Sequence, residues 1–218
     1  DIKTPLISII NYVNLLKNEN FDDPRIQRYI EVLEQKSMRL KTLTEDVVEA
    51  SKITSGNIKL ECMKLDFTEL VLQTSAEYEE KFEERNLTEI QHLPKEKALV
   101  YIDGRRTWRI LANLYNNAAK YAMTGSRIYT DLKVTEGAVI FSIKNISEQP
   151  LNINADQLTE RFIRGDISRS TEGSGLGLSI AQTLTEMQKG KFELYLDGDL
   201  FKATVTFPKV QEEQSTQI

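Results

Sequence analysis

Asn113, Asn117 and Lys120 stand four and three residues apart in the segment NLYNNAAKYA, a spacing that sets side chains on one face of an α-helix. A carboxamide oxygen is a hard ligand that suits Mg2+, and a lysine one turn away can meet a phosphate. Tyr121 follows directly, and Ile110, Leu111, Leu114 and Ala118 supply the face such a helix would bury. Two amides and a lysine also describe an ordinary solvated face, so the segment alone supports either reading. A second candidate is TEGSGLGLSIAQTL, in which Gly173, Gly175 and Gly177 surround Ser174 and Leu176 and run into an apolar-periodic helix. Glycines there let backbone N–H groups turn toward a ligand, and a helix N-terminus favours an anion. No Gly-Lys-Ser/Thr follows, so it is not a P-loop, and a long loop rather than a strand precedes it, unlike a dinucleotide fingerprint. By itself the stretch reads equally as a hinge.

The elements that would carry these residues fall into two textures. Residues 6 to 16 place Leu6, Ile9, Ile10, Val13 and Leu16 on one helical face. After the polar break NENFDD, Pro24 sits where a first-turn proline is tolerated, with Asp22 or Asp23 as N-cap. Ile26, Leu33, Leu40 and Val47 then recur every seven residues, with Tyr29, Leu43 and Ala50 partly filling a companion seam. This helix is expected to run to about Ile53. Two antiparallel helices this narrow bury their apolar stripes poorly, so the hairpin is expected to dimerise into a four-helix bundle. Packing on the chain's own second domain is the alternative.

Beyond Ser55-Gly56-Asn57 the pattern turns mixed α/β. A strand is expected around Ile58–Met63, a helix from Asp66 to Glu84, and short strands at Glu89–Gln91 and Leu99–Ile102. A helix from Gly104 to Ala122 follows, then a hairpin of Ser126–Val134 with Ala138–Ile143. An irregular stretch from Asn145 to Glu172 contains a short helix near Ala155–Phe162. A helix over Gly175–Gln188 and a hairpin of Lys191–Leu196 with Phe201–Phe207 complete the domain. The fold class is therefore α+β. Residues 1–54 are read as a helical hairpin, 55–60 as a linker, 61–209 as the α/β domain and 210–218 as a disordered tail.

Composition narrows the function. The 218 residues are 40% hydrophobic and 28% charged, with 28 basic against 33 acidic side chains and a net charge of −5. The basic footprint of a nucleic-acid binder is missing, though a pocket for one nucleotide is not excluded. One cysteine, Cys62, rules out an intramolecular disulfide framework and favours a reducing compartment. No apolar run reaches the roughly 18 residues of a membrane span, so membrane contact is not expected of this segment and any anchor is expected upstream. The only histidine, His92 in IQHLP, reads as a surface or structural residue.

Taken together, the motifs resemble the catalytic core of bacterial sensor histidine kinases of the two-component type. DIKTPL resembles the segment that follows the phosphoacceptor histidine, NLYNNAAKYA the N box, RFIRGD with Phe162 the F box, and GSGLGLSIA the G2 glycine box. Order and spacing agree from Asp1 to Pro208. The resemblance implies a dimerisation and phosphotransfer hairpin joined to an ATP-binding domain of the GHKL type, a mixed sheet backed by helices. It implies Asn117 as the Mg2+ ligand, Asn113 near the phosphates, Lys120 on phosphate and Tyr121 against the nucleotide. Gly173, Ser174, Gly175, Leu176 and Gly177 would let a lid close over the triphosphate of ATP. Arg164 and Arg169 would lie in that lid, as contacts to the γ-phosphate or as plain solvated arginines.

One motif departs from the pattern. The family's G1 box reads Asp-x-Gly-x-Gly/Ala, and here NISEQ puts Asn145 in place of the aspartate and Ser147 and Gln149 in place of the glycines. An asparagine oxygen still accepts from an amino group, more weakly than a carboxylate by about 1 kcal/mol. The intact N and G2 boxes favour a working variant over decay of the site. At the start, the resemblance places a histidine immediately before Asp1. Asp1 would orient that imidazole and take its proton during attack on the γ-phosphoryl group. Thr4 matches the position that directs water when the partner regulator is dephosphorylated. The expected activity is autophosphorylation on that histidine and transfer to a response-regulator aspartate, by a homodimer held through residues 1–54. The expected setting is cytoplasmic, with the parent anchored in a membrane. The alternatives are a nucleotide-binding scaffold or regulator phosphatase without kinase turnover, and a GHKL ATPase of another branch, against which the TPL-bearing hairpin argues.

Overall fold

The structure is a computed structural model and describes residues 3–17, 23–54, 59–151 and 176–210. It opens with two helices, α1 (Lys3–Lys17) and α2 (Pro24–Thr54). Asp23 caps α2, accepting the Arg25 N–H at 2.9 Å, which settles the choice between Asp22 and Asp23. The two helices pack along Leu6, Ile10 and Val13 of α1 and Ile30, Glu34 and Ser37 of α2, with a Lys17–Glu34 ion pair of 2.7 Å at one end. The heptad positions of α2 do not face α1. Ile26, Leu33, Leu40 and Val47 are all exposed, as are Ile9 and Leu16 of α1. The stripe read from the sequence is thus the face that α1 leaves uncovered.

The rest of the chain forms two sheets with helices on one face. β1 (Met63–Asp66) pairs antiparallel with β3 (Leu99–Ile102). The larger sheet has the order β2-β4-β5-β7-β6, from β2 (Thr88–His92), β4 (Arg127–Val134), β5 (Ala138–Ile146), β6 (Lys191–Asp197) and β7 (Leu200–Pro208). β2 runs parallel to β4 and the other neighbours are antiparallel. Alternation is clear on β7, where Phe201, Ala203, Val205 and Phe207 are buried and the residues between them are not. These side chains meet α3 (Phe67–Ala76), α5 (Gly104–Tyr121) and α6 (Gly177–Met187) in one core. Phe67 packs edge-on to Phe207 with centroids 5.6 Å apart, and Tyr115 lies 6.4 Å from Phe141.

Three boundaries differ from the sequence reading. The first strand begins at Met63, the residue expected to end it: Met63–Asp66 pairs with β3, and residues 59–62 form no strand. The helix expected over Asp66–Glu84 is two, since the chain turns at Glu77–Tyr78 before α4 (Glu79–Glu83). Asp66 caps α3, taking the Thr68 N–H at 3.0 Å. β5 extends to Ile146, three residues past the expected end, so Asn145 belongs to the sheet rather than to a loop. The expected helix near Ala155–Phe162, the break at 18–22, the tail at 211–218 and residues 55–58 of the linker lie outside the described residues.

α2 also touches the α/β domain. Arg109 of α5 pairs with Asp46 and, at 3.1 Å, with Glu49, while Arg106 reaches Glu49 at 3.0 Å. Ala50 packs against the edge of the core. Just after the linker, the Glu61 N–H donates to Asp103 at 3.0 Å. Asp103 also caps α5 by accepting the Arg106 N–H.

Candidate functional site

α5 is positioned from both ends. Its start is fixed by Asp103, whose own N–H donates to Gln188 Oε1 at 2.7 Å, while Thr107 donates to the same oxygen at 3.1 Å. Buried Ile110, Leu111, Leu114, Tyr115 and Ala118 hold one side against the sheet. Asn113, Asn117, Lys120 and Tyr121 therefore share the partly exposed side, as their spacing requires. The Lys120 ammonium rests on its neighbour, 4.7 Å above the Tyr121 ring and 3.0 Å from its hydroxyl. Arg106, Arg109 and Asn113 continue the same stripe backwards at i, i+3 and i+7.

The far end of α5 is stitched to the end of β5. The Met123 N–H donates to the Ile146 carbonyl at 2.8 Å, the Glu148 N–H donates to the Tyr121 carbonyl at 2.9 Å, and Ala122 bridges Ser147. Arg85 binds this junction from outside. Its guanidinium donates to the Ala119 and Lys120 carbonyls at 2.8 and 2.6 Å, to Thr124 Oγ1 at 3.1 Å and to Glu148 Oε2 at 2.5 Å. One cation thus satisfies helix-terminal carbonyls and ties the segment after β5 to α5. The sequence reading missed Arg85, whose partners are 34 to 63 residues away.

Asn145 lies one residue before this junction and faces the helices, like Phe141 and Ile143 before it. It is only 2% exposed, and its Oδ1 has no hydrogen-bond partner among the described residues. Asn113 Nδ2 is likewise buried without a partner. Such atoms cost roughly 1–3 kcal/mol each when nothing meets them, so they are the places where a ligand would gain most. The start of α6 closes on Asn113 from the other side. A Cβ on Gly177 would stand 3.4 Å from Asn113 Oδ1, so a residue without a side chain lets the two helices approach. Leu176, just ahead, is buried and its carbonyl accepts from Ser179 at 2.9 Å.

The structure thus brings Asn113 and Gly177 into contact and sets Asn117, Lys120 and Tyr121 along the same helix, with Asn145 at its end. Thr4 lies in the first turn of α1. Asp1, Phe162, Arg164, Arg169, Gly173, Ser174 and Gly175 lie outside the described residues. His92 is exposed on the opposite face of the sheet, stacked on Tyr129 with its Nδ1 2.7 Å from Asp131 Oδ1. Burial by itself would raise Asp131, but hydrogen bonds from His92 and Lys144 hold its carboxyl below the usual value. In the core, burial pushes the Tyr78 hydroxyl up to about 12, and burial together with the Glu89 carboxylate raises Tyr115 further. Both are neutral anchors; Tyr115 donates to Glu89 at 2.9 Å. Among the described residues no helix is long and apolar enough to cross a membrane, and no cluster of three or more His, Cys, Asp or Glu could hold a metal ion.

Known proteins match this arrangement along nearly the whole chain. The family described as Histidine kinase-, DNA gyrase B-, and HSP90-like ATPase matches residues 102–214, and the His Kinase A (phospho-acceptor) domain matches residues 1–56. The histidine protein kinase SaeS of Staphylococcus aureus is 31% identical over 218 residues, covering 96% of this chain and 61% of its own length. The sensor protein VanSC of Enterococcus gallinarum is 29% identical over 212 residues, covering 96% of this chain and 58% of its own length. The chain therefore spans about three fifths of the curated relatives it matches. Among solved structures, full-length ShkA in complex with AMPPNP superposes with a TM-score of 0.78 at 20% identity, covering 97% of this chain and 45% of that one. The histidine kinase ThkA in complex with the response regulator TrrA gives 0.63 at 22% identity, covering 98% and 60%. These two likenesses establish the fold, a helical hairpin with a GHKL-type α/β domain. With the ATPase family matched over just over half of its length and a phospho-acceptor domain matched in front, the chain belongs to the bacterial sensor histidine kinases.

Proposed function

We propose that this chain is the kinase core of a two-component sensor: it binds Mg-ATP along α5, phosphorylates a histidine at the head of α1 and passes the phosphoryl group to a response-regulator aspartate. The division of labour is residues 1–54 for dimerisation and phosphotransfer and residues 61–209 for nucleotide binding. The observation that carries this reading is the pair of buried, unpartnered amide atoms at Asn113 and Asn145, two positions that the motif resemblance independently gives to the nucleotide. Asn113 Nδ2 is a donor suited to a phosphate oxygen, and Asn145 Oδ1 an acceptor suited to an exocyclic amino group. Asn117 offers one carboxamide oxygen on the same stripe. Mg2+ needs no more than one or two side-chain oxygens when phosphates and water fill its shell, so the donor set fits a metal that arrives with the nucleotide. Lys120, freed from Tyr121, would meet phosphate as a point charge.

The hairpin supports the second half of the reading. The uncovered heptad stripe of α2 is the surface a second copy would bury in a four-helix bundle. The complex of ThkA with a response regulator has the same fold, which makes a receiver domain the fitting partner for the hairpin here. Asp1 and Thr4 would flank the phosphorylated histidine as proton acceptor and water-directing hydroxyl.

Titration of the chain with Mg-ATP tests the binding step, and Asn117→Ala should weaken it about tenfold or more through loss of a metal ligand. Chain carrying a histidine directly before Asp1, incubated with γ-labelled ATP, should gain acid-labile, base-stable phosphate. Absence of binding at millimolar nucleotide by folded protein would remove the kinase reading, and binding without phosphate transfer would favour a scaffold or regulator phosphatase.

A further inference from the structure

We propose that Asn145 makes the site accept nucleoside triphosphates with a 6-oxopurine base as well as those with adenine. The inference rests on the reading of this site as the nucleotide site and concerns which edge of the base it recognises. Asn145 stands opposite Ile128 on β4 and Phe201 on β7, both buried. Neither neighbour has a side-chain donor or acceptor, and Asn145 Oδ1 has no partner among the described residues. Nothing among these neighbours dictates which way the amide is turned.

That freedom matters because a carboxamide carries a donor and an acceptor side by side. In one orientation Oδ1 accepts from the adenine 6-amino group. Turned by half a revolution about its last torsion, Nδ2 donates to a 6-oxo group in the same place. The two pairings use the same number of hydrogen bonds and the same position of the ring. A carboxylate at this place can serve only the first, since it has no proton to give and would face the 6-oxo oxygen lone pair to lone pair. The segment after Asn145 stays where it is in either case, held by Arg85 and by the bonds to α5.

Inosine triphosphate is the clean probe, because it presents the 6-oxo edge without an added 2-amino group. Calorimetric titration of the chain with Mg-ATP and with Mg-ITP should give affinities that differ by less than about tenfold, the worth of one hydrogen bond. In Asn145→Asp, checked for folding by circular dichroism, the preference for ATP over ITP should widen by about tenfold or more. A native chain that binds ATP but takes ITP about tenfold or more weakly overturns this inference and leaves the nucleotide site standing. An ATP-to-ITP ratio unmoved in folded Asn145→Asp overturns it as well. Failure to bind either nucleotide removes both the inference and the reading beneath it. The native comparison decides the question even where the aspartate variant does not fold, since it needs no substitution.

Discussion

In α2, Ile26, Leu33, Leu40 and Val47 expose 38–51% of their surface, whereas Val139, Phe141 and Ile143 of β5 expose none. Both stretches are comparably apolar, and the difference lies in what surrounds them. The sheet has three helices over one face, so every second residue finds a neighbour within its own chain. The hairpin has only α1, which covers the Ile30–Ser37 side of α2 and leaves the heptad side open. Among the described residues, the α/β domain thus covers its apolar core but leaves buried polar atoms without partners at Thr68, Asn113, Ser126 and Asn145. The hairpin instead leaves apolar side chains uncovered. Under the proposed function, the first leaves polar atoms for a small ligand and the second an apolar stripe for a second copy of the chain.

Truncations should expose this contrast most sharply. Phe141→Ala removes a ring that packs on Phe67 and Tyr115, and should destabilise the α/β domain by about 3–5 kcal/mol in denaturant unfolding. Leu40→Ala on the hairpin, measured at concentrations where the chain is monomeric, should cost under about 0.5 kcal/mol. Equal costs would mean that the hairpin stripe is covered within one chain. The paired substitution Leu33→Glu with Leu40→Glu puts charge on the proposed dimer face and should leave the chain monomeric in analytical ultracentrifugation while ATP affinity stays within about twofold of the native chain. A dimer that survives both changes would place the interface elsewhere.

The ion pairs between α2 and α5 join the two regions, and they sharpen the comparison on a smaller scale. Asp46 and Glu49 are both largely buried beneath Arg106 and Arg109. Replacing them together, Asp46→Asn with Glu49→Gln, leaves two guanidinium groups without their counter-charges. The loss should be about 1–2 kcal/mol, seen as faster hydrogen exchange in the last turns of α2 with the β5 and β7 amides unchanged. Faster exchange throughout would show that the hairpin and the domain unfold as one unit.

How much of this was legible in the sequence follows the range of the interactions. Seven-residue recurrence in α2, alternation in β4 and β7 and the four-residue spacing of Asn113 and Asn117 are local, and they gave the elements to within a few residues. The direction in which the heptad faces was not local, because periodicity says that a stripe exists and not which neighbour covers it. The end of β5 was misplaced because Asn145 and Ser147 look like loop residues, while their pairing with β7 and α5 is set by residues far along the chain. Arg85 and Gln188 were invisible for the same reason. Each is a lone polar residue whose partners lie on other elements. The G1 position was found only by its spacing from the other motifs, and burial then gave its amide a meaning that composition could not.

The smallest effect belongs to the face of the sheet that the helices leave open. Asp131 accepts from Lys144 at 3.1 Å and sits 2.7 Å from His92 Nδ1. Its carboxyl, raised by burial but lowered further by these partners, titrates below the ordinary value of 3.8. The sign follows from which state holds the proton more tightly. The unfolded chain protonates this group first as pH falls, so its contribution to stability is fully present above pH 3.8 and disappears as pH drops through the lower folded value. Asp131→Asn should therefore lose under about 1 kcal/mol near neutrality and converge with the native chain in strong acid. Urea unfolding across pH 2.5 to 7 would read this, with the pH series chosen as a window of roughly that width around carboxylate titration. If the variant and the native chain keep a constant gap down to the acid end, the interaction is packing and not charge. ATP affinity should be the same in both, since Asp131 faces away from α5, and any change in it would link the open face of the sheet to the site beneath.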